Sequence, residues 1–232
     1  MKPATPDSRR DVTTEVVARR RLVALAGHKG DPATARRGLD DASPLVRVTA
    51  LGALERLGSL SDSDLEVALL DGQPAVRRRA AELAGQRPAI DLTAALGDED
   101  PGVTEMAAWA AGEQEQRRYV PQLTGLVTGS GKHEDPLCRE AAVAALGAIG
   151  DEAGLPAVLL ALEDKPAVRR RAAVALAAFD GPEVTAALER ALGDRDWQVR
   201  QVAEDLLEIE QIDREGRSIP DSPGPGSEPV TG

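Results

Sequence analysis

The sequence has one cysteine, two histidines and very few aromatic residues. A single cysteine, Cys138, excludes an intramolecular disulfide framework and any zinc or iron–sulfur site built from several cysteines. Phe, Trp and Tyr make up 2% of the 232 residues, whereas hydrophobic residues make up 42%. The core must therefore be built from small and aliphatic side chains. Alanine occurs 39 times, and it suits the close packing of one helix on another.

Basic residues and long apolar runs are also scarce. The 28 Lys and Arg are outnumbered by 39 Asp and Glu, which gives a net charge of -11. A field of this sign repels phosphates, so we expect no nucleic-acid partner. No apolar run approaches the roughly 18 residues of a membrane-spanning helix, and the start MKPATPDSRR lacks the apolar core of a signal peptide. We expect a cytoplasmic protein without a membrane partner, and the preference for Arg over Lys suggests a bacterial source.

What the sequence does contain is an internal repeat. Six segments share an acidic turn, usually a proline, a branched apolar residue, an arginine and then small residues, as in DGQPAVRRRAAELAG from Asp71. The anchors recur about every 30 residues and are Pro44, Pro74, Pro101, Pro136, Pro166 and Trp197. A fixed period of this length is the signature of a repeat architecture.

Each repeat has the pattern of a helix that begins at its anchor. Proline is well tolerated in the first helical turn, and the apolar residues Val76, Ala80 and Leu83 share one helical face. Shorter apolar segments with helical period lie between these helices, namely Leu65–Leu70, Ile90–Leu96, Val120–Val127, Leu155–Leu162 and Val184–Leu192. We therefore predict two helices in each unit, a first helix and an anchored second helix.

The two ends of the chain differ from the repeats. Residues 11–27 fit the same template and are predicted to form an N-terminal capping helix, after a flexible segment of residues 1–10. The repeats extend over residues 11–210. Residues 211–232, QIDREGRSIPDSPGPGSEPVTG, contain four prolines and no apolar period, which predicts a disordered acidic tail.

The shared pattern DxxPxVRxxAxxALG resembles the HEAT repeat, in the short form named after phycobilisome lyase subunits. The resemblance covers residues 11 to about 210, with Thr104 where the arginine is expected. It implies an all-α, right-handed α-solenoid of about six helix–turn–helix repeats that serves as a protein-binding scaffold or adaptor. The alternative that it leaves open is a lyase-like or chaperone-like accessory protein that handles a cofactor such as a bilin.

The resemblance also implies a structural role for the motif acids and arginines, which in such arrays form a ladder between successive turns. We expect these residues to stabilise the stack and not to bind a partner. The expected ladder consists of Asp41, Arg47, Asp71, Arg77, Arg139, Glu163, Arg169, Asp194 and Arg200.

In resembling proteins the second helices line the concave surface. Helical spacing places Trp109 off the apolar face, and Trp and Arg are enriched among interface hot spots. The predicted partner-binding residues are Trp109, Arg78, Arg79, Met106, Glu105, Arg170 and Arg171. Such a surface, with an aromatic centre between basic patches, favours another protein or an acidic peptide as the partner. The alternatives are that Trp109 fills a gap beside alanines and that the arginines form a solvated helix face; Trp197 is expected to pack on the last turn.

Signals for catalysis or metal binding are weak. The chain contains no GxxxxGK[ST], GxSxG or HExxH motif. His133-Glu134 resembles the iron-ligating pairs of HEAT metal hydroxylases, but one such pair in a loop does not fill a di-iron site. Cys138 occupies the valine position of its repeat and is expected to be a buried small hydrophobe. We therefore expect no enzyme activity, no metal and no cofactor.

Overall fold

The computed structural model describes residues 8–217, with the side chains of residues 13–209, 211 and 212. This part of the chain is helical and contains no β-strand. Its α-helices are α1 (Ser8–Lys29), α2 (Pro32–Arg37), α3 (Pro44–Arg56), α4 (Asp62–Leu69), α5 (Pro74–Ala84), α6 (Pro101–Gln114), α7 (Val120–Val127), α8 (Pro136–Ile149), α9 (Leu155–Ala161), α10 (Pro166–Ala175), α11 (Pro182–Ala191) and α12 (Trp197–Arg217). The chain divides into two compact units, with the boundary after Phe179.

In the first unit the helices form two layers. One layer consists of α1, α3, α5, α6, α8 and α10, each of which packs against the next in that order. The other layer consists of the first helices of the repeats, α2, α4, α7 and α9. Each of them packs against the next helix in the chain, which is α3, α5, α8 and α10, respectively. This arrangement is an all-α solenoid of helix–turn–helix repeats with an N-terminal helix at its start, and it confirms the predicted fold class.

The second unit is a helical pair in which α11 packs against α12. Val184 and Leu188 of α11 and Val199 of α12 are buried. Trp197 is 64% exposed at the first residue of α12. The prediction that Trp197 packs on the last turn is therefore wrong.

Close contacts between second helices depend on glycine and alanine. A Cβ atom added to Gly147 of α8 would lie 2.7 Å from the Cβ of Ala175 in α10. A Cβ added to Gly112 of α6 would lie 3.0 Å from the Cα of Ala145 in α8. Since larger side chains would push these helices apart, the abundance of small residues is a direct requirement of the stack.

One predicted helix is absent. Residues Ile90–Leu96 form turns that lead into a short 3-10 helix at Ala95–Gly97. The Asp91 carboxylate accepts hydrogen bonds from the backbone N–H and the hydroxyl of Thr93, and such local bonds compete with helix formation. Ile90 and Leu92 are nevertheless fully buried, so the apolar pattern predicted the burial correctly and the secondary structure wrongly.

Two buried side chains satisfy the backbone of this non-helical segment. The Gln114 amide nitrogen lies 3.0 Å from the carbonyl oxygen of Ala84 and 3.2 Å from that of Ile90. The Tyr119 hydroxyl accepts a hydrogen bond from the N–H of Leu92 at 3.2 Å and lies 2.9 Å from the Gln114 amide oxygen. These contacts replace part of the hydrogen bonding that a helix would have supplied.

Three of the motif arginines, Arg47, Arg77 and Arg139, each join two successive turns. Arg47 donates to the carboxylate of Asp71 in the next repeat at 2.7 Å and to the carbonyl of Asp41 in its own turn at 2.8 Å. Arg77 makes the equivalent bonds, to the Asp98 carboxylate at 2.7 Å and the Asp71 carbonyl at 2.8 Å. Preceding them, Arg19 of α1 donates to the Asp41 carboxylate at 2.8 Å.

The ladder of the later repeats uses a different acid at one position. Arg139 pairs with Asp164 at 2.6 Å, whereas the expected acid, Glu163, is exposed. Asp164 is one residue closer to the helix start, and this position faces the preceding repeat. Arg169 donates to the carbonyl of Asp164 and Arg200 to the carbonyl of Asp194, at 3.1 Å and 2.8 Å.

Thr104 stands where the third repeat lacks its arginine. Its hydroxyl donates to the carbonyl of Asp98 at 3.1 Å, which is the bond that an arginine makes within its own turn. A threonine side chain is too short to reach the following repeat. The described residues therefore have no arginine–carboxylate bond of this type between α6 and α8.

The chain ends differ in part from the predicted boundaries. Helix α12 continues through Arg217, so residues 211–217 are helical and do not belong to a disordered tail. No proline interrupts this stretch, and its residues other than Gly216 are compatible with a helix. Residues 8–10 belong to α1. The remaining predictions, for residues 1–7 and 218–232, lie outside the described residues.

We expect Tyr119→Phe to lower the free energy of unfolding by about 1 to 2 kcal/mol, because the N–H of Leu92 would lose its buried acceptor. Urea unfolding followed by circular dichroism measures the change. Gln122→Ala is the control, since Gln122 is exposed and its amide reaches the Thr93 carbonyl at only 3.4 Å. Equal stability of Tyr119→Phe and the natural protein would contradict the role of this network.

We expect Asp164→Asn to lower the free energy of unfolding at pH 7 by about 3 kcal/mol, because it leaves the buried Arg139 guanidinium without a counter-charge. The hydrogen bond from Arg139 holds the pKa of Asp164 well below its usual range. A carboxyl with a depressed folded pKa stabilises the protein above its unfolded pKa, about 3.9, and loses this effect as the pH falls. The difference from the natural protein should therefore shrink below about pH 4. Glu163→Gln, at the exposed neighbour, should have no such effect, and an equal loss in both variants would contradict the assignment.

Candidate functional site

A groove lies on the second-helix layer of the first unit, with walls from α5, α6, α8 and α10. Its volume is about 450 Å³. Four of the predicted partner-binding residues line it, namely Glu105, Met106, Trp109 and Arg171. The other lining residues are Glu82, Leu137, Glu140, Ala141 and Ala144. We call this cavity the Trp109 groove.

Trp109 supplies most of the aromatic surface of the groove. Its side chain is 43% exposed, and Leu137 across the groove is 53% exposed. A Cβ atom added to Gly85, at the end of α5, would lie 3.2 Å from the Cζ3 atom of the indole. The glycine therefore leaves the space that the indole occupies. Trp109 is neither a core residue nor a fully solvated one.

The charges of the groove are mostly negative. Glu82 pairs with Arg79 at 2.7 Å, and Glu140 lies 3.5 Å from Arg171. The third glutamate, Glu105, is half-buried, and its carboxylate forms no ion pair with the described side chains. The groove thus combines apolar surface with three carboxylates and one guanidinium.

The remaining predicted residues lie outside the lining of the Trp109 groove. Arg78 is exposed on α5. Arg79 is occupied by its bond to Glu82, and its guanidinium also lies beside Gly52 of α3. Arg170 is half-buried on α10 and does not contribute to the lining. The sequence pattern did not show this, because the period gives the face of a residue but not the pairing across helices.

A second recess continues from the Trp109 groove toward α10. It has a volume of about 310 Å³ and shares Ala144 and Arg171 with the first cavity. Small side chains of α8 and α10 line it, and Val174 projects there with 49% of its surface exposed. We call it the Val174 recess. Its lining is apolar apart from Arg171.

The groups considered for chemistry have structural contacts. His133 accepts a hydrogen bond from the N–H of Asp135 through Nδ1 at 3.1 Å. Burial raises the pKa of Cys138 to about 11, so its thiol is protonated at neutral pH. Within residues 8–217, no three His, Cys, Asp or Glu side chains are grouped so that they could hold a metal ion. None of the helices in this range is both long enough and apolar enough to cross a bilayer.

A family model described as HEAT repeats matches residues 89–167 and 131–208, which together are more than half of the chain. The chain belongs to the HEAT-repeat family. This confirms the resemblance found in the repeat pattern. No curated protein sequence matches the chain significantly.

Three solved structures are similar to this HEAT-repeat protein, and that of YibA supports its fold. The YibA protein of Escherichia coli is 19% identical, with a TM-score of 0.58, and the match covers 94% of this chain and 80% of that one. Human deoxyhypusine hydroxylase is 24% identical with a TM-score of 0.44, covering 84% of this chain and 80% of that one. An engineered protein is 20% identical with a TM-score of 0.42, covering 84% and 88%. At these identities the likeness to YibA concerns the fold alone.

We expect Trp109→Ala to lower the free energy of unfolding by only about 1 kcal/mol, because much of the indole is already in contact with water. Leu92→Ala is the comparison, since a fully buried leucine contributes about 3 kcal/mol. Chemical unfolding of both variants tests whether Trp109 is a core residue. A loss for Trp109→Ala equal to that for Leu92→Ala would show that the indole fills the core.

Proposed function

We propose that this HEAT-repeat protein is a non-catalytic adaptor that binds a segment of another protein in the Trp109 groove. The observation that carries the proposal is a concave surface with two large apolar side chains, Trp109 and Leu137, about half exposed. Concave apolar surfaces with a few convergent polar groups are the usual form of a binding site. In a chain with 2% aromatic residues, an exposed tryptophan in a groove is a strong indication of recognition.

The close packing of the helices that form the groove favours tight binding of a flexible segment. Its side chains project from four helices that are fixed by close glycine and alanine contacts, such as those of Gly112 and Gly147. A surface that is already ordered loses little conformational entropy on binding, so most of the ordering is required of the partner alone.

The charges of the groove argue against the acidic peptide that the sequence led us to expect as the partner. An acidic peptide would meet Glu82, Glu105 and Glu140, and it would find only Arg171 as a cation within the lining. Like charges that face each other in a half-buried site are unfavourable. An uncharged or basic protein segment therefore fits the groove better than the acidic peptide expected from the arginine triplets.

The cofactor-handling alternative has no specific support. The lining of the Trp109 groove contains neither histidine nor cysteine, which are common attachment or ligand residues for cofactors. The groove shares Ala144 and Arg171 with the Val174 recess, and the two adjoining cavities together suit an elongated ligand. We therefore retain protein binding as the function and assign no enzyme activity.

A photo-crosslinking experiment tests the proposal. With p-benzoylphenylalanine in place of Ala141 in the groove, we expect a discrete crosslinked protein band in extracts of the source cells. The same amino acid in place of Glu66, which is exposed on α4 in the first-helix layer, should not give this band.

Two tryptophan variants complete this test. Trp109→Ala should abolish the crosslink from position 141, whereas Trp197→Ala, at the exposed tryptophan of α12, should leave it unchanged. A band that appears from position 66 and survives Trp109→Ala would place binding on the other layer and would contradict the proposal.

A further inference from the structure

We propose that the Trp109 groove selects a protein segment that carries an arginine or lysine beside an apolar residue, with the cation held between Glu105 and the indole of Trp109. This inference rests on the proposed adaptor function and specifies the partner of the same site. The segment is defined by its chemistry, which is one cationic and one apolar side chain.

The first argument is that the Glu105 carboxylate in the groove has no ion-pair partner among the described residues. Arg79 is paired with Glu82, and Arg171 lies near Glu140, but no cation of the described residues pairs with Glu105. Glu105 is half-buried beside apolar surface, where an ion pair is stronger than in bulk water. An incoming guanidinium or ammonium group would supply the missing charge-assisted hydrogen bonds.

The second argument is the spacing of Glu105 and Trp109 on α6. Residues four apart on a helix lie on the same face, about 5 to 6 Å from each other. A cation that reaches the Glu105 carboxylate therefore lies next to the indole ring. Trp is the best aromatic partner for a cation, and the interaction strengthens when water is excluded. The two side chains together form a site for a cation and not for an anion.

The third argument is the continuation of the groove. The Val174 recess begins at Ala144 and Arg171 and is lined by small apolar side chains. Adjacent packed helices are about 8 to 10 Å apart, so the α8 wall of the recess lies about one such spacing from the cation site on α6. An apolar side chain of the partner at that distance would contact the alanines of α8, and Val174, which is 49% exposed, lines the far wall of the recess on α10.

Long-range electrostatics favour the same class of partner. The chain carries a net charge of -11, which attracts cationic segments and repels acidic ones before contact. The contacts in the groove and the net charge of the protein therefore both favour a cationic segment.

A peptide selection tests the inference. A phage-displayed library of random 16-residue segments is selected on the full-length protein, and clones that also bind Trp109→Ala are removed. We expect the remaining sequences to be enriched in Arg or Lys, with an apolar residue nearby. Enrichment in Asp or Glu, or no charge preference, would overturn the inference and leave the adaptor function intact. Recovery of no Trp109-dependent clone would instead overturn both.

The selected peptide with the highest affinity then serves as a probe for single variants. Glu105→Gln should weaken its binding about tenfold, as expected for the loss of one charged hydrogen-bonding partner. Glu66→Gln changes the net charge by the same amount in the first-helix layer and should alter binding less than twofold. Replacement of the basic residue of the peptide by Gln should remove the difference between the natural protein and Glu105→Gln. Equal effects of Glu105→Gln and Glu66→Gln would show that only the net charge matters and would overturn the cation site.

Discussion

The arginine that joins two successive turns is the interaction on which the first unit depends at every step of its second-helix layer except that between α6 and α8. In the pair Arg139–Asp164 both side chains are about 5% exposed, and the same guanidinium also satisfies the His133 carbonyl in its own turn. One side chain thereby fixes the start of a second helix and its distance from the next repeat. Because this distance is set at the turns, glycine and alanine can bring the helices into close contact, and the solvent-exposed side of the second-helix layer remains available for binding.

The candidate site lies where this regularity is interrupted. Thr104 replaces the motif arginine in the third repeat and bonds only within its own turn. The first helix of that repeat is replaced by turns that depend on Gln114 and Tyr119. Helix α6, which carries Thr104 and Gln114, also carries Glu105 and Trp109. Three of the nine residues that line the Trp109 groove are thus on the helix that departs most from the repeat, and such departures are typical of positions used for function.

The sequence was sufficient for the repeat register, the start of every second helix and the position of Trp109 outside the core, because these follow from a period of 3.6 residues and from proline anchors. The sequence was insufficient where contacts with other repeats determine the local structure or the ion pair. Ile90–Leu96 has an apolar pattern but forms turns that are stabilised from other repeats. Asp164 and Glu163 are adjacent acids, and only the geometry shows which one meets Arg139. The ion pair between Glu140 and Arg171 joins two different helices, and the sequence contains no signal for it.

The central claim is that the groove side of the second-helix layer, around Glu105 and Trp109, is the binding surface. Hydrogen–deuterium exchange of the full-length protein with and without a bound basic peptide tests it most directly. The account predicts added protection in α6 and α8, around Glu105, Trp109 and Leu137, and unchanged exchange in α2 and α4. Protection confined to the first helices α4, α7 and α9, with no change in α6, would contradict it.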